Sequence, residues 1–309
     1  MTLRATRILA LAIVALAPSV AHGDTRCPLG ATCDFSAHLA RFRANHPKAV
    51  DQDADGIPDA REEQLARRFA PVVVLDGKDW TRPASVQWLL SRLRVGARHD
   101  EAPKPGLRLS LFPPRLQRGS RNPRDWKTYV HTYASRNGQR LHVQYWFFYP
   151  YNDGSWIFDH EGDWEHVTVT LDKAGRPLGV HAAQHGHNAP GQWRRWQDVT
   201  KLHGTHPRIL SAKGSHASYF DESDVGWRDT SSRCAPSDKD CARVLWNTWE
   251  GGGLTQLGER HSPREAFMMK YRGRWGALGS LPGMSGPRGP AFQSSWCFDG
   301  DAGCTRPRR

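Results

Sequence analysis

Leu141-His142-Val143-Gln144-Tyr145-Trp146-Phe147-Phe148-Tyr149 alternates apolar and polar side chains at first, then turns aromatic on both sides. Successive residues of a strand point to opposite faces, so Leu141, Val143 and Tyr145 share one face. The aromatic second half needs cover on both faces, which a strand sandwiched between layers receives. Strand-like runs at 107–111, 129–133, 164–171, 178–183 and 208–212, separated by glycine- and proline-containing breaks, surround it. Two packed sheets account for all of them, so the expected fold is mainly β: a β-sandwich with a few peripheral helices. Helical periodicity marks the helices at 33–47 (Phe35, Leu39, Phe42), 59–69 (Leu65, Phe69) and 86–93 (Trp88, Leu89, Leu90). No internal repeat is evident.

Downstream, His160-Glu161-Gly162-Asp163-Trp164-Glu165 runs directly into His166-Val167-Thr168-Val169-Thr170-Leu171. Period two places Glu165 and Asp163 in the row of Val167, Val169 and Leu171, the row expected to face the core. Two acids and the imidazole of His160 thus converge at the buried end of a strand. Buried charge is costly without a partner, and a divalent cation is an economical one. Asn152 and Asp153 in the preceding loop supply further oxygen. This ligand set suits magnesium, calcium or manganese more than zinc, although His181, His185 and His187 keep nitrogen available for zinc. The competing expectation is ion pairing of these acids with arginine.

A second metal signal lies at 51–62, where Asp51, Asp53, Asp55, Asp59 and Glu62 occupy loop positions one, three, five, nine and twelve. Gly56 stands at position six for the sharp turn, and the Ile57 carbonyl falls at position seven, as a calcium loop requires. Pro58 replaces the usual aliphatic residue at position eight. A capped helix start would need one acid rather than five, so calcium is the expected occupant, in a structural role.

Arg4 and Arg7, an apolar stretch from Ile8 to Ala17, and the small residues Ala21 and Gly23 read as a secretory signal over 1–23, too short to span a bilayer. The domain plan that follows is a helical segment with the calcium loop at 24–65 and a β-sandwich domain with the metal site at 66–309. A periplasmic or secreted monomer is expected. Six cysteines in three close pairs, Cys27 with Cys33, Cys234 with Cys241 and Cys297 with Cys304, favour disulfides, with other connectivities open. The net charge of +12 favours anionic partners such as lipid headgroups or envelope polymers and allows peripheral membrane contact. Nucleic acid is not expected, because no binding motif accompanies the scattered basic residues.

Several ordered motifs carry a resemblance. These are 145–152, the block 160–169, the turn around His216 in Ser211-Ala212-Lys213-Gly214-Ser215-His216-Ala217-Ser218-Tyr219, Arg272-Gly273-Arg274-Trp275-Gly276, and Gly289-Pro290-Ala291 before Trp296. Together with Arg68-Phe69-Ala70-Pro71 and Ser85-Val86-Gln87-Trp88, they resemble the vacuolar-protein-sorting sixty-two family over roughly 66–297. That resemblance implies a fold more than an activity. More distantly, the chain is similar to the necrosis- and ethylene-inducing-peptide-like cytolysins, β-sandwich proteins with His, Asp and Glu spaced as His160, Asp163 and Glu165. Carried over, these three bind a divalent ion directly or through water. The chain departs at the loop acid, where Asn152 stands with Asp153 beside it. His216 resembles the cytolysins' histidine in a small-residue turn.

Functions of different classes fit these residues. One is an exported protein whose divalent metal binds a polar headgroup or glycan, toxin-like and membrane-damaging. Its exposed aromatic contacts would come from Trp156, Trp193, Trp196 and Trp227, while Trp146 and Trp164 are core. Another is a metal-dependent hydrolase of phospholipid or envelope glycan, with His216 or His185 as general base. A third is an envelope scaffold.

Overall fold

A computed structural model describes residues 50–93, 112–135, 137–154, 158–185, 191–226, 229, 242–258, 266–281 and 283–297. The signal segment, the 33–47 helix, the 107–111 strand, Trp156, His187, Trp227 and every cysteine but Cys297 lie outside them. No cysteine among the described residues is free. No described helix is long and apolar enough to cross a membrane.

The protein is a two-sheet β structure with few helices. Helix α1 (Asp59–Phe69) leads into β1 (Val72–Asp76), α2 (Val86–Arg92) and the single turn α3 (Pro114–Gln117). Strands β2 (Thr128–Ala134), β3 (Arg140–Asn152), β4 (His160–Asp172), β5 (Pro177–Ala182) and β6 (Gln192–Arg195) follow. Then come β7 (Lys201–Leu202), β8 (His206–Ser211), β9 (Ser218–Tyr219), β10 (Arg243–Asn247), β11 (Leu254–Gln256) and the short α4 (Ala266–Lys270). One sheet has the order β11-β2-β3-β4-β5-β6, an antiparallel run closed by a parallel β11–β2 pair. The other runs β10-β1-β8-β7, with β9 also on β8. Its centre is mixed, since β1 pairs antiparallel with β10 and parallel with β8.

Strand β3 is covered on both sides, as its aromatic half demands. Leu141, Val143, Tyr145, Phe147 and Tyr149 face Val73 and Leu75 of β1, Ile209 of β8 and Trp246 of β10 in the core between the sheets. Trp146 and Phe148 join Trp88 and Leu89 of α2 with Tyr129, Trp164, Trp275 and Trp296 in a second core on the outer face. The expected core role of Trp146 and Trp164 thus holds. Helix α1 sends Leu65, Ala66 and Phe69 into the inter-sheet core, and the Tyr145 hydroxyl donates to the Ala66 carbonyl at 2.9 Å. Ser85 caps α2 by accepting from the Trp88 amide at 3.0 Å, satisfying an otherwise orphaned donor.

Candidate functional site

Strand β4 enters its sheet through a kink. Gly162 adopts φ +67°, and a Cβ there would stand 1.7 Å from the Trp275 carbonyl oxygen, so only glycine lets the 275 segment cross. Beyond the kink, Asp163 lies opposite Tyr149 and Glu165 opposite Phe147. Residues directly opposite on antiparallel strands share a face, so both acids point to the core between the sheets.

The turn joining β8 to β9 meets them there. His216 holds φ +56°, an unusual backbone state for a residue with a side chain, and its amide donates to the Ala212 carbonyl at 3.0 Å. Its Nδ1 donates to Asp163 Oδ2 at 2.8 Å, while Nε2 faces Asp79 Oδ2 at 3.5 Å, a charge contact without hydrogen-bond geometry. Tyr149 stacks flat on the ring. Burial opposes a charge on this imidazole, but the two carboxylates outweigh it and raise its pKa to about 9. The two carboxylates thus favour the charged form of His216. Asp79, held by the Gly214 amide at 2.8 Å and the Thr81 amide at 2.9 Å, stays below the usual carboxylate range although burial pushes the other way.

Asp229 comes from a distant part of the chain. Its Oδ1 accepts from Ser215 Oγ at 2.6 Å, and its Oδ2 accepts from the Tyr219 hydroxyl at 2.6 Å and lies 2.9 Å from His185 Nε2. His185 also has a left-handed backbone, φ +50°. Burial raises the pKa of Asp229, but His185, Ser215 and Tyr219 together lower it.

Glu165 is different. It is 8% exposed, and its carboxylate receives no hydrogen bond from the described residues. Burial first, then the neighbouring Asp163 and Asp229, hold its pKa well above the ordinary carboxylate value. Arginine pairing is the alternative expected for Asp163 and Glu165; among the described residues the ion pair of Asp163 is with His216, and that of Asp229 is with His185.

The remaining expected ligands sit at the open end of β3 and β4. His160 pairs with Asn152 across the strands, and its Nδ1 donates to the Gly162 carbonyl at 2.8 Å while Nε2 accepts from Asn152 Nδ2 at 3.1 Å. Asn152 Oδ1 is buried and has no hydrogen-bond partner. Asp153 is exposed, accepts from the Trp80 indole, and its amide donates to the Gly214 carbonyl at 2.9 Å. The structure thus brings Asp163, Glu165 and His216 together inside and leaves His160, Asn152 and Asp153 at the rim. Asp79 and Asp229, single acids in polar segments, carry no spacing signal and escape sequence reasoning.

At the calcium loop, Asp51, Asp53 and Asp55 each offer a carboxylate oxygen within 4.8 Å of the others; among the described residues, only this group could hold a metal ion at such spacing. Positive φ at Ala54 and Gly56 turns the loop inward. Asp51 Oδ2 accepts from the Gly56 amide at 3.1 Å and Asp55 Oδ1 from the Ile57 amide at 2.7 Å. Burial is the main cause of the raised pKa of Asp53, with Asp51 and Asp59 adding to it. Asp59 turns instead to Gln52, accepting from its backbone at 2.9 Å and its side chain at 2.8 Å. Glu62 is buried in the first turn of α1, and Ile57 lies in the core. Of the tryptophans expected at the surface, Trp193 is 45% exposed. Trp196 is half-buried, edge-on to Phe69 and under Lys201.

No family model matches the chain. Over 191 residues it is 27% identical to TDA6 of Saccharomyces cerevisiae (strain ATCC 204508 / S288c), provisionally named as vacuolar protein sorting-associated; the match covers 48% of this chain and 40% of that protein. The chain therefore spans well under half the length of this relative. Among solved structures, NLPPya in complex with glucosamine is 15% identical, with a TM-score of 0.44, covering 76% of this chain and 86% of that one. Necrosis and Ethylene inducing Protein 2, from the causal agent of cocoa's witches' broom disease, is 18% identical, with a TM-score of 0.39, covering 73% and 85%. The two resemblances carried by the motifs, to vacuolar-protein-sorting and to necrosis- and ethylene-inducing proteins, are both met again in these comparisons.

Proposed function

We propose that the protein is a divalent-cation-dependent binding protein for a polar headgroup or glycan, toxin-like in its damage to membranes. The observation that carries this reading is Glu165: a carboxyl buried beside two other acids, without a hydrogen bond from the described residues, is costly to ionise, and a bound cation would offset that cost. The orphaned Asn152 Oδ1 is a second oxygen aimed nowhere else. Asp163 and Glu165 would hold the ion from inside, with His160, Asn152 and Asp153 reaching it at the rim, directly or through water. A hard ion such as magnesium, calcium or manganese suits this oxygen-rich set. It would offer open positions to the hydroxyls of a sugar or the oxygens of a phosphate, and the net charge of +12 favours anionic surfaces. The Asp51-Asp53-Asp55 loop would take calcium in a structural role, and the protein would act outside the cytoplasm as a monomer.

The His185–Asp229 pair favours a second reading, a metal-dependent hydrolase, because a carboxylate that orients an imidazole prepares it as a general base.

The test titrates magnesium, calcium and manganese by calorimetry. Dye release from phosphatidylglycerol vesicles and glucosamine binding are then followed with and without the ion, and the lipid is assayed for cleavage. Cation-dependent binding or leakage without cleaved lipid supports the first reading, and cleavage lost in Glu165→Ala supports the second. A wild-type protein that binds no ion beyond the loop equivalent overturns both.

A further inference from the structure

Two consecutive residues of one turn, Ser215 and His216, each grip an acid. His216 holds Asp163 at 2.8 Å, and Ser215 holds Asp229 at 2.6 Å. Two adjacent residues of the turn thus bind two acids that 66 residues of sequence separate. Tyr219, the last residue of β9, fixes the second oxygen of Asp229 at 2.6 Å, so the position of that carboxylate is determined from two elements. Glu165, two residues along β4 from Asp163 and on the same face, is the member beside them that has no partner among the described residues.

We infer that Asp229 is an anionic wall of the central cation site, so that the ion sits among Asp163, Glu165 and Asp229, with His185 at its edge. This rests on the proposed cation-dependent function and adds a ligand from outside the β3–β4 end. Charge supports it. His216 pairs with Asp163 and faces Asp79, whereas among the described residues Glu165 has no such partner. A cation placed between Glu165 and Asp229 would offset the first and share the second with His185. Distances set the binding mode. The Asp51-Asp53-Asp55 trio has ligand atoms within 4.8 Å of one another, and no three acids or histidines of the central site do among the described residues. An ion there would be reached by part of these groups through water, which suits magnesium, an ion that dehydrates reluctantly. Asp229 accepts from Ser215 on Oδ1 and from Tyr219 on Oδ2, which also faces His185 Nε2 at 2.9 Å, so Oδ1 retains lone-pair capacity for a bound water.

The experiment uses the full chain carrying Asp55→Ala, so that the loop site is silent, and titrates magnesium and manganese by calorimetry. The expected result is one central equivalent that Glu165→Gln abolishes and Asp229→Asn weakens at least about tenfold, with Asp229→Glu recovering part of the affinity. Circular dichroism and the melting temperature check that each variant is folded. Manganese-soaked crystals of the unmutated protein supply a readout independent of any substitution: the anomalous peak is expected between Glu165 and Asp229. A central equivalent that Asp229→Asn binds with unchanged affinity, or a peak bounded by Asn152 and His160 with Asp229 outside the ion's water shell, overturns the inference and leaves the proposed function standing. Absence of any central equivalent overturns both.

Discussion

The ring of Tyr149 lies flat against the imidazole of His216, with centroids 3.8 Å apart and planes 5° from parallel. Tyr149 belongs to the long buried strand β3 and His216 to a tight turn, so this contact ties the turn to the centre of the core. Tyr149→Ala should destabilise the protein by about 3–5 kcal/mol through the cavity it leaves, as aromatic-to-alanine changes in cores do. Tyr149→Phe keeps the stack and loses only the weak 3.3 Å contact with Ser211 Oγ, so it should cost about 1 kcal/mol. Urea unfolding of the two variants checks the difference.

His216 also sets an alkaline limit. Its folded pKa of about 9 lies above the ordinary 6.5, so its stabilisation is complete below pH 6.5 and fades as pH rises through 9. The full effect is about 3 kcal/mol, one pKa unit being about 1.4 kcal/mol. With chelator present throughout, His216→Gln should be less stable than wild type at pH 6.5 and should flatten the loss between pH 7 and 10.

His131 sets the acid limit. It is buried between Trp296, with centroids 3.5 Å apart, and Tyr133, and burial lowers its pKa to about 3. The sign is opposite to that of His216: stability is complete above pH 6.5 and is lost as pH falls toward 3, at about 1.4 kcal/mol per unit. His166, lowered by burial and by His181, adds to the same limb. His131→Phe should reduce the slope of unfolding free energy against pH between 6 and 4 by up to that amount.

Glu165 should trade stability for binding. Its folded pKa is raised, so its contribution is favourable below the ordinary carboxylate range and is lost as pH climbs through the raised value. In chelator at pH 7, Glu165→Gln should therefore melt higher than wild type, while losing the central ion. A lower melting point for that variant would show the acid satisfied without a cation.

At the loop, calcium should raise the melting temperature by binding only the folded chain, and Asp55→Ala should erase that gain together with one equivalent of metal by emission spectroscopy. Asp163→Ala should lose a different equivalent, so the two losses are separable.

Much of this was legible in the residues. Strands β3 and β4 were readable because period-two burial is written into 141–149 and 164–171, and α1 because an acid-rich turn precedes its apolar stripe. Strand β1 escaped, since Val72-Val73-Val74-Leu75 is a short apolar run with no period of its own. Strands β10 and β11 escaped because they are short and only partly buried. Within the site, β4 announced Asp163 and Glu165 by their place in an inward row. Asp79 and Asp229 matter only through what the fold sets beside them, which no local spacing encodes. His160 fits its expected place in the chain, yet both its nitrogens serve Gly162 and Asn152.

The pairing of β1 has a bearing on how the chain matures. Its neighbours in the sheet, β8 and β10, are made more than a hundred residues later. A growing polypeptide must carry Val72–Asp76 as an unmatched, sticky ribbon until β8 is made, and with one side still open until β10 follows. Truncation before Arg243 would leave that ribbon exposed along one side, and such fragments should clump rather than accumulate as small soluble pieces.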